Sequence, residues 1–327
     1  MNDEVPQAEE IITEGETSQI EAIIEEEPSQ PNRSLVEKIF FSPEEHRLRA
    51  GWRLTIQSLI LVTLLFGLQY IISYYLLPNI SIPDISSFLI SKITMLLAVT
   101  GSVFVSRTLL DNRSFASLGL KMNSRAWIDL LVGIGIAALM MGIIFLAEWA
   151  LGWLNFQDFV WNLEEPKTLA INILIFLGVF LIVGWQEELH SRGYWLQNLE
   201  EGINLYWAVA ISSLFFASAH LGNPNFSIVS LIGLIVSGVF LAYGYTSTRR
   251  LWLPIGLHIG WNFFEGCVFG FPVSGLSVPH LLDYTVDGPI LWTGGAFGPE
   301  AGLILLPALA IGAFFIWVYA TQNTEED

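Results

Sequence analysis

The chain of 327 residues is 53% hydrophobic and only 14% charged, well below the charged quarter that is usual in soluble domains. Its net charge of −17 is unevenly placed, because residues 1–32 carry ten acids and no Lys or Arg. The composition excludes an ordinary soluble domain, and the single cysteine, Cys267, excludes an intramolecular disulfide and a cysteine-based zinc cluster. Much of the negative charge therefore belongs to an N-terminal tail, and the composition predicts no nucleic-acid partner.

The N-terminal part divides into a tail and a transition. Residues 1–34 combine dense acidic charge with few large apolar side chains, so we expect a disordered cytoplasmic tail. Phe40 and Phe41 precede Ser42-Pro43-Glu44-Glu45, which is typical of a helix start. We therefore expect residues 35–53 to form a short interfacial helix that leads into the membrane.

The remainder of the chain, residues 35–327, is predicted to be a transmembrane domain. Spanning about 30 Å of hydrocarbon takes roughly 20 helical residues, and lipid offers no partners for unpaired backbone groups. The apolar runs that qualify are 54–77, 85–108, 126–151, 168–198, 205–222, 227–247, 251–271 and 302–321. The sequence thus predicts an all-α, polytopic bundle of about eight transmembrane helices. Loops that carry several Lys or Arg residues alternate along the chain with loops that carry few of them. Because positively charged loops tend to stay in the cytoplasm, this alternation places both termini there. We expect a cell or plasma membrane.

Polar residues inside predicted spans mark a candidate site, because burying an ionisable group in a membrane is costly. The fourth span holds Trp185-Gln186-Glu187-Glu188-Leu189-His190-Ser191-Arg192, the fifth holds Phe216-Ala217-Ser218-Ala219-His220, and the seventh holds His258-Ile259-Gly260-Trp261-Asn262. At about 1.5 Å per residue, Glu187, His220, His258 and Asn262 lie roughly 12–22 Å from the cytoplasmic ends of their helices. They should therefore meet near one level.

Helical spacing suggests different roles for the two neighbouring carboxylates. Glu188 and Arg192 are four residues apart, share a helix face and can pair. Glu187 points about 100° away and is left free. A desolvated Glu can act as a general base on water, together with a neutral His. A His–Asn pair four residues apart can donate hydrogen bonds to an oxyanion. These are the parts of a peptide-bond hydrolase.

The three motifs Glu187-Glu188-x-x-x-Arg192, Phe216-x-x-x-His220 and His258-x-x-x-Asn262 resemble those of the CPBP family, the CAAX prenyl protease, Abi and Rce1-like group. The resemblance covers about 165–270. It implies an eight-helix fold and an intramembrane endopeptidase in which Glu187 and His220 activate water and His258 and Asn262 hold the oxyanion. Glu188 and Arg192 would shape the site, and Phe216 would pack beside it. The predicted catalytic set is Glu187, Glu188, His220, His258 and Asn262, with Arg192 and Phe216 supporting it.

Several alternatives stay open. The resemblance is compatible with a zinc enzyme, and Glu187, His220 and His258 could be three ligands. We favour a metal-free mechanism without cofactor, because Asn262 suits an oxyanion hole better than a zinc site. The same buried charges would also serve a transporter or a non-catalytic immunity scaffold. The expected partners are the lipid bilayer and a peptide or membrane-protein substrate, prenylated or not. The outer connection 272–301 has no predicted role.

Overall fold

The fold is described from a computed structural model, which covers residues 34–42, 47–76 and 84–323. Most of the predicted tail 1–34, and part of the predicted helix start at Ser42–Glu45, lie outside the described residues. Before that predicted start, a six-residue helix begins at Leu35, where Ser34 forms a capping box with Glu37.

Within the described residues, each of the eight predicted apolar segments contains a helix. The labelled helices are α1 (Leu35–Phe40), α2 (Ala50–Ile71), α3 (Asp84–Leu109), α4 (Ser124–Ala150), α5 (Pro166–Glu188), α6 (Leu205–Ser218), α7 (Ile228–Thr248), α8 (Trp252–Asn262) and α9 (Leu305–Asn323). Short 3₁₀ or α turns occur at Phe115–Leu118, Val160–Leu163, Gln197–Gly202, Ile290–Thr293, Gly295–Phe297 and Pro299–Ala301. Wide π turns extend three of the helices, at Ile72–Leu76, Leu189–Leu196 and Phe263–Val268.

Six of the described helical stretches are long and apolar enough to cross a membrane. They are those of α2, α3, α4, α5 with its extension to Gly202, α7 and α9, and α6 and α8 are shorter. The predicted all-α membrane bundle is therefore confirmed, and the chain is an integral membrane protein. At 1.5 Å per residue, α6 reaches only about 21 Å, so the fifth predicted segment is helical over part of its length.

Helix α8 is placed by very close packing against α4. A Cβ atom added to Gly256 would lie 2.2 Å from the backbone oxygen of Leu130, and one added to Gly133 would lie 2.5 Å from that of Leu253. Small residues at such contacts let two helix backbones approach. Gly184 of α5 is equally tight against Ile259 on the other side. These contacts hold α8 between two long helices, so its polar side chains are buried in the bundle.

The outer connection 272–301 is more ordered than its Gly- and Pro-rich sequence suggested. It contains strand β2 (Leu282–Val286), which pairs antiparallel with β1 (Leu154–Phe159). This two-stranded ribbon was not predicted, because neither strand shows a long alternating pattern. The connection then turns back into the bundle, where the backbone oxygen of Glu300 would lie 1.8 Å from a Cβ added to Gly233 of α7. That contact brings a carboxylate of the connection to the helices.

Candidate active site

The change of helical geometry after Glu188 separates the two neighbouring carboxylates. Helix α5 passes there into the eight-residue π turn Leu189–Leu196, and such turns are frequent at functional sites. The Glu187 side chain is 26% exposed and faces a cavity, whereas that of Glu188 is fully buried. The predicted division between a free carboxylate and a paired one is therefore present in the structure.

Glu188 has two partners on the same oxygen. Its Oε1 accepts a hydrogen bond from Arg192 at 2.7 Å, the pair that the spacing predicted. The same oxygen accepts from Nδ1 of His258 at 2.8 Å, which links α5 to α8. Arg192 also donates to the backbone oxygen of Gly238 and lies 4.4 Å from the centre of the Phe216 ring. Glu188 thus joins a buried network that fixes the orientation of His258.

Two histidines face the free carboxylate of Glu187. Its Oε2 atom lies 3.9 Å from Nε2 of His220 and 3.8 Å from Nε2 of His258. Both distances exceed those of direct hydrogen bonds, and a polar gap of this length is one that a water molecule can bridge. Among the described residues, Oε2 of Glu187 has no direct hydrogen-bond partner. The three groups therefore surround a place suited to a water molecule.

The orientation of His220 is set by its own helix. Its Nδ1 donates to the backbone oxygen of Phe216 at 3.0 Å, which turns Nε2 toward Glu187. The Phe216 ring packs against both histidines, with centroid distances of 5.1 Å to His220 and 5.9 Å to His258. Phe216 therefore packs against both imidazoles.

Asn262 completes the convergence of the predicted residues. It lies one turn after His258 on α8, is buried, and lines the same cavity as Glu187, His220 and His258. Four of the five predicted catalytic residues thus meet at this cavity, and the fifth, Glu188, does not reach it. Glu188 and Arg192 lie behind His258 and line no part of this cavity.

The cavity has a volume of about 380 Å³ and mostly apolar walls. Among its wall residues are Leu61, Phe88, Val99, Phe176, Phe180 and Leu276. They come from α2, α3, α5 and the outer connection. A smaller void of about 30 Å³ shares Phe216, His258, Asn262 and Glu300 with it. The polar end therefore lies beside an apolar space large enough for side chains or a lipid group.

Glu300 is a member of the site that the sequence did not indicate. It is 6% exposed, lines both the cavity and the smaller void, and accepts a hydrogen bond from the Ser274 hydroxyl. Glu265, on the π turn that follows α8, is fully buried near it. The only sequence signal for Glu300 was an acid within a Gly- and Pro-rich run, a run that we placed outside the membrane.

The zinc alternative concerns Glu187, His220 and His258, in which Oε2 of the carboxylate faces Nε2 of both imidazoles. Within the part of the chain that the structure describes, no three His, Cys, Asp or Glu side chains are grouped so that they could hold a metal ion. One nitrogen of His258 is engaged by Glu188, and its other nitrogen is 3.8 Å from Glu187. Zinc bonds to nitrogen and oxygen are about 2.0–2.2 Å long, so two ligands of one zinc ion lie about 3–4 Å apart. The separations of 3.9 and 3.8 Å from Glu187 to His220 and His258 are therefore compatible with a bridging water molecule and with a metal ion.

Comparisons with known proteins agree with the position of the site. No curated protein matches the chain. A family model does match: residues 169–264 match the model described as type II CAAX prenyl endopeptidase, Rce1-like. The match lies within the predicted core 165–270 and contains all three motifs. The predicted resemblance is therefore confirmed over residues 169–264, which are similar to the Rce1-like model in the group of CAAX proteases.

Proposed function

We propose that this protein is an intramembrane endopeptidase that hydrolyses a peptide bond with water activated by Glu187. The observation that carries the proposal is the water-sized gap between Glu187, His220 and His258, inside a cavity with apolar walls. The family match supports peptidase activity, since the family is one of endopeptidases. A carboxylate in such surroundings can act as a general base on water.

The proposed reaction begins when Glu187 takes a proton from a water molecule that His220 also holds. The resulting hydroxide attacks the carbonyl carbon of the scissile peptide bond, and negative charge develops on the carbonyl oxygen. His258 and Asn262 stabilise that oxyanion with hydrogen bonds. Glu188 and Arg192 act indirectly, because they hold the ring of His258 in place.

The proposed substrate is a membrane-associated or lipidated protein whose C-terminal segment enters the cavity. The matched family is named for CAAX prenyl substrates, in which a lipid is attached near the C-terminus. Apolar walls such as Phe88, Phe176 and Phe180 suit a prenyl group or apolar side chains. We further propose that both termini face the cytoplasm of a cell or plasma membrane, since the Arg-containing loops alternate along the chain.

Replacement of Glu187 tests the function. The purified protein, in detergent or liposomes, is given a farnesylated peptide ending in a CAAX box, and products are identified by mass spectrometry. Glu187→Gln should lower kcat by about 10²-fold or more, while Glu164→Gln, at an exposed position, should cleave normally. Full activity of E187Q would remove Glu187 as the base. Failure of the wild type to cleave any such peptide would favour a scaffold.

The choice between a glutamate-type and a zinc-dependent peptidase needs its own measurement. We propose the metal-free mechanism, because Asn262 and the orientation of His258 suit an oxyanion hole. Zinc content of the purified protein and its activity after chelation decide the question. Normal activity in protein stripped of metal is expected. Stoichiometric zinc, whose removal stops cleavage and whose return restores it, would overturn the proposal.

A further inference from the structure

The proposed reaction leaves one proton without a donor. When the peptide bond breaks, the departing amine must be protonated, because a free amide anion is far too basic to leave. Glu187 receives a proton from the water, but it lies on the water side of the carbonyl. The departing nitrogen therefore needs a proton donor on another wall of the cavity, close to the residues that bind the oxyanion.

Glu300 is placed to be that group. It lines the cavity and the smaller void together with His258 and Asn262, the pair proposed to bind the oxyanion. Its position is constrained from two sides, since its backbone packs against Gly233 and its carboxyl oxygen accepts from the Ser274 hydroxyl. These two contacts hold the Glu300 carboxyl at the wall of the cavity.

The surroundings of Glu300 favour its acid form. Burial raises the pKa of Glu300 above its ordinary value, while the Ser274 hydrogen bond and the nearby His220 and His258 lower it less. The buried Glu265 carboxyl lies near enough to interact electrostatically with Glu300. A charged carboxylate here would repel a developing oxyanion, whereas a neutral acid can donate to it or to the departing nitrogen.

From this arrangement we propose that Glu300 is the general acid of the reaction and protonates the leaving amine. The inference rests on the proposed peptidase function. Glu187 takes a proton as water adds to the carbonyl carbon. The carbon–nitrogen bond then breaks as Glu300 gives its proton to the nitrogen, which leaves Glu300 as a carboxylate. The proton held by Glu187 returns to Glu300 through water, so both residues regain their starting states and one water molecule is consumed.

A change of leaving group tests this role. After the cleaved bond of the farnesylated CAAX peptide has been located, a second peptide is made with a thioester in place of that bond. A thiol has a pKa of about 8.5 and can leave as a thiolate without a proton. Glu300→Gln should therefore lower kcat for the amide about 10²-fold and leave the thioester rate nearly unchanged. Glu187→Gln should slow both substrates.

Two further variants keep the test decisive. Asp287→Asn removes an exposed carboxyl of the same outer connection that lines neither cavity, and it should leave both rates unchanged. Ser274→Ala removes the hydroxyl that orients Glu300, and it should slow the amide more than the thioester even if E300Q does not fold. Equal loss on both substrates in E300Q and S274A, or no loss on the amide, would overturn the role of Glu300. If the wild-type protein cleaves neither peptide, the proposed peptidase function itself is refuted.

Discussion

Two adjacent carboxylates in this protein have opposite environments, and their chemistry should differ accordingly. Glu187 opens onto the cavity with 26% of its side chain exposed, whereas Glu188 is fully enclosed by Arg192 and His258. Substitution of the first should therefore affect catalysis with little effect on folding. Substitution around the second should affect folding as well, because it leaves a buried charge without its partner.

Arg192→Met tests this difference. Removing the guanidinium leaves Glu188 buried with one fewer partner, and loss of one member of a buried ion pair costs about 3–5 kcal/mol. Thermal unfolding in detergent should show a clearly lower Tm than that of the wild type. Glu187→Gln should stay within about 0.5 kcal/mol of the wild type, as is usual for a position without such a partner. Equal stability of R192M and the wild type would contradict the structural role.

Sequence spacing predicted the site residues unequally well. Glu188 and Arg192 are one helical turn apart, so their pairing follows from local geometry. The bond from His258 to Glu188 could not be predicted, since it depends on how α5 and α8 pack. Glu300 was missed for the same reason. Its segment has no helical pattern, and its burial comes from a connection that folds back against Gly233.

At the scale of elements, the contact between α4 and α8 fixes the oxyanion side of the site. Helix α8 carries both His258 and Asn262 and lies so close to α4 that no side chain fits at Gly256. Any atom added there must move α8 relative to Glu187 on α5. Because displacements of about 1 Å can cost 10²-fold in rate, this contact should matter to activity although it lies outside the cavity.

Gly256→Ala is the corresponding variant. Its Cβ would lie 2.2 Å from the backbone oxygen of Leu130, and overpacking of this kind typically costs about 1–3 kcal/mol. We expect a lower Tm and a strongly reduced kcat in peptide cleavage. The matched control is Gly135→Ala, a glycine of α4 with no atom within 4 Å of an added Cβ. It should behave like the wild type. Normal activity of G256A would mean that the contact does not position the site.

The helices were predicted well and their irregular parts were not. Long apolar runs located all eight segments, because lipid permits only helices or closed barrels. The π turns after Glu188 and Asn262 and the ribbon of β1 and β2 left no comparable signal. They depend on tertiary contacts, and two of the three border the candidate site.

At the scale of the whole molecule, a buried charge cluster joins one end of three helical stretches. Asp111 accepts from Arg53 of α2 at 2.8 Å and from Arg107 of α3 at 2.9 Å, and Tyr194, after α5, lies 3.5 Å away. The cluster lies outside the cavity, since none of these residues lines it. It should therefore stabilise the bundle without taking part in the chemistry.

Asp111→Ala should lower the stability of the protein without changing its catalytic rate. Two buried arginines lose a partner, so we expect a loss of about 3–5 kcal/mol and a lower Tm. The kcat of the remaining folded enzyme should equal that of the wild type. Asp283→Ala, on β2 and outside the cluster, is the control and should not change Tm. A selective loss of kcat in D111A would contradict the separation of the cluster from the site.

Cysteine labelling tests the proposed orientation of the whole chain. In a Cys267→Ala background, a single cysteine is introduced at Met122 or at Leu163, whose side chains are 61% and 58% exposed. Met122 lies just before α4, and Leu163 lies after α4 and β1, so the two sites flank the predicted third span. A membrane-impermeant maleimide added to intact cells should label L163C and spare M122C until the cells are opened. The reverse pattern would place both termini outside the cytoplasm.

The contact of the outer connection with the helices also has a consequence for biosynthesis. All three family motifs have been translated once the ribosome passes Asn262, yet Glu300 comes 38 codons later. If Glu300 supplies the leaving-group proton, a nascent chain already inserted up to α8 holds a base and an oxyanion-binding pair but no acid. The peptidase would then stay inactive on the polypeptides that surround it in the translocon, and its activity would begin only when the last connection is in place.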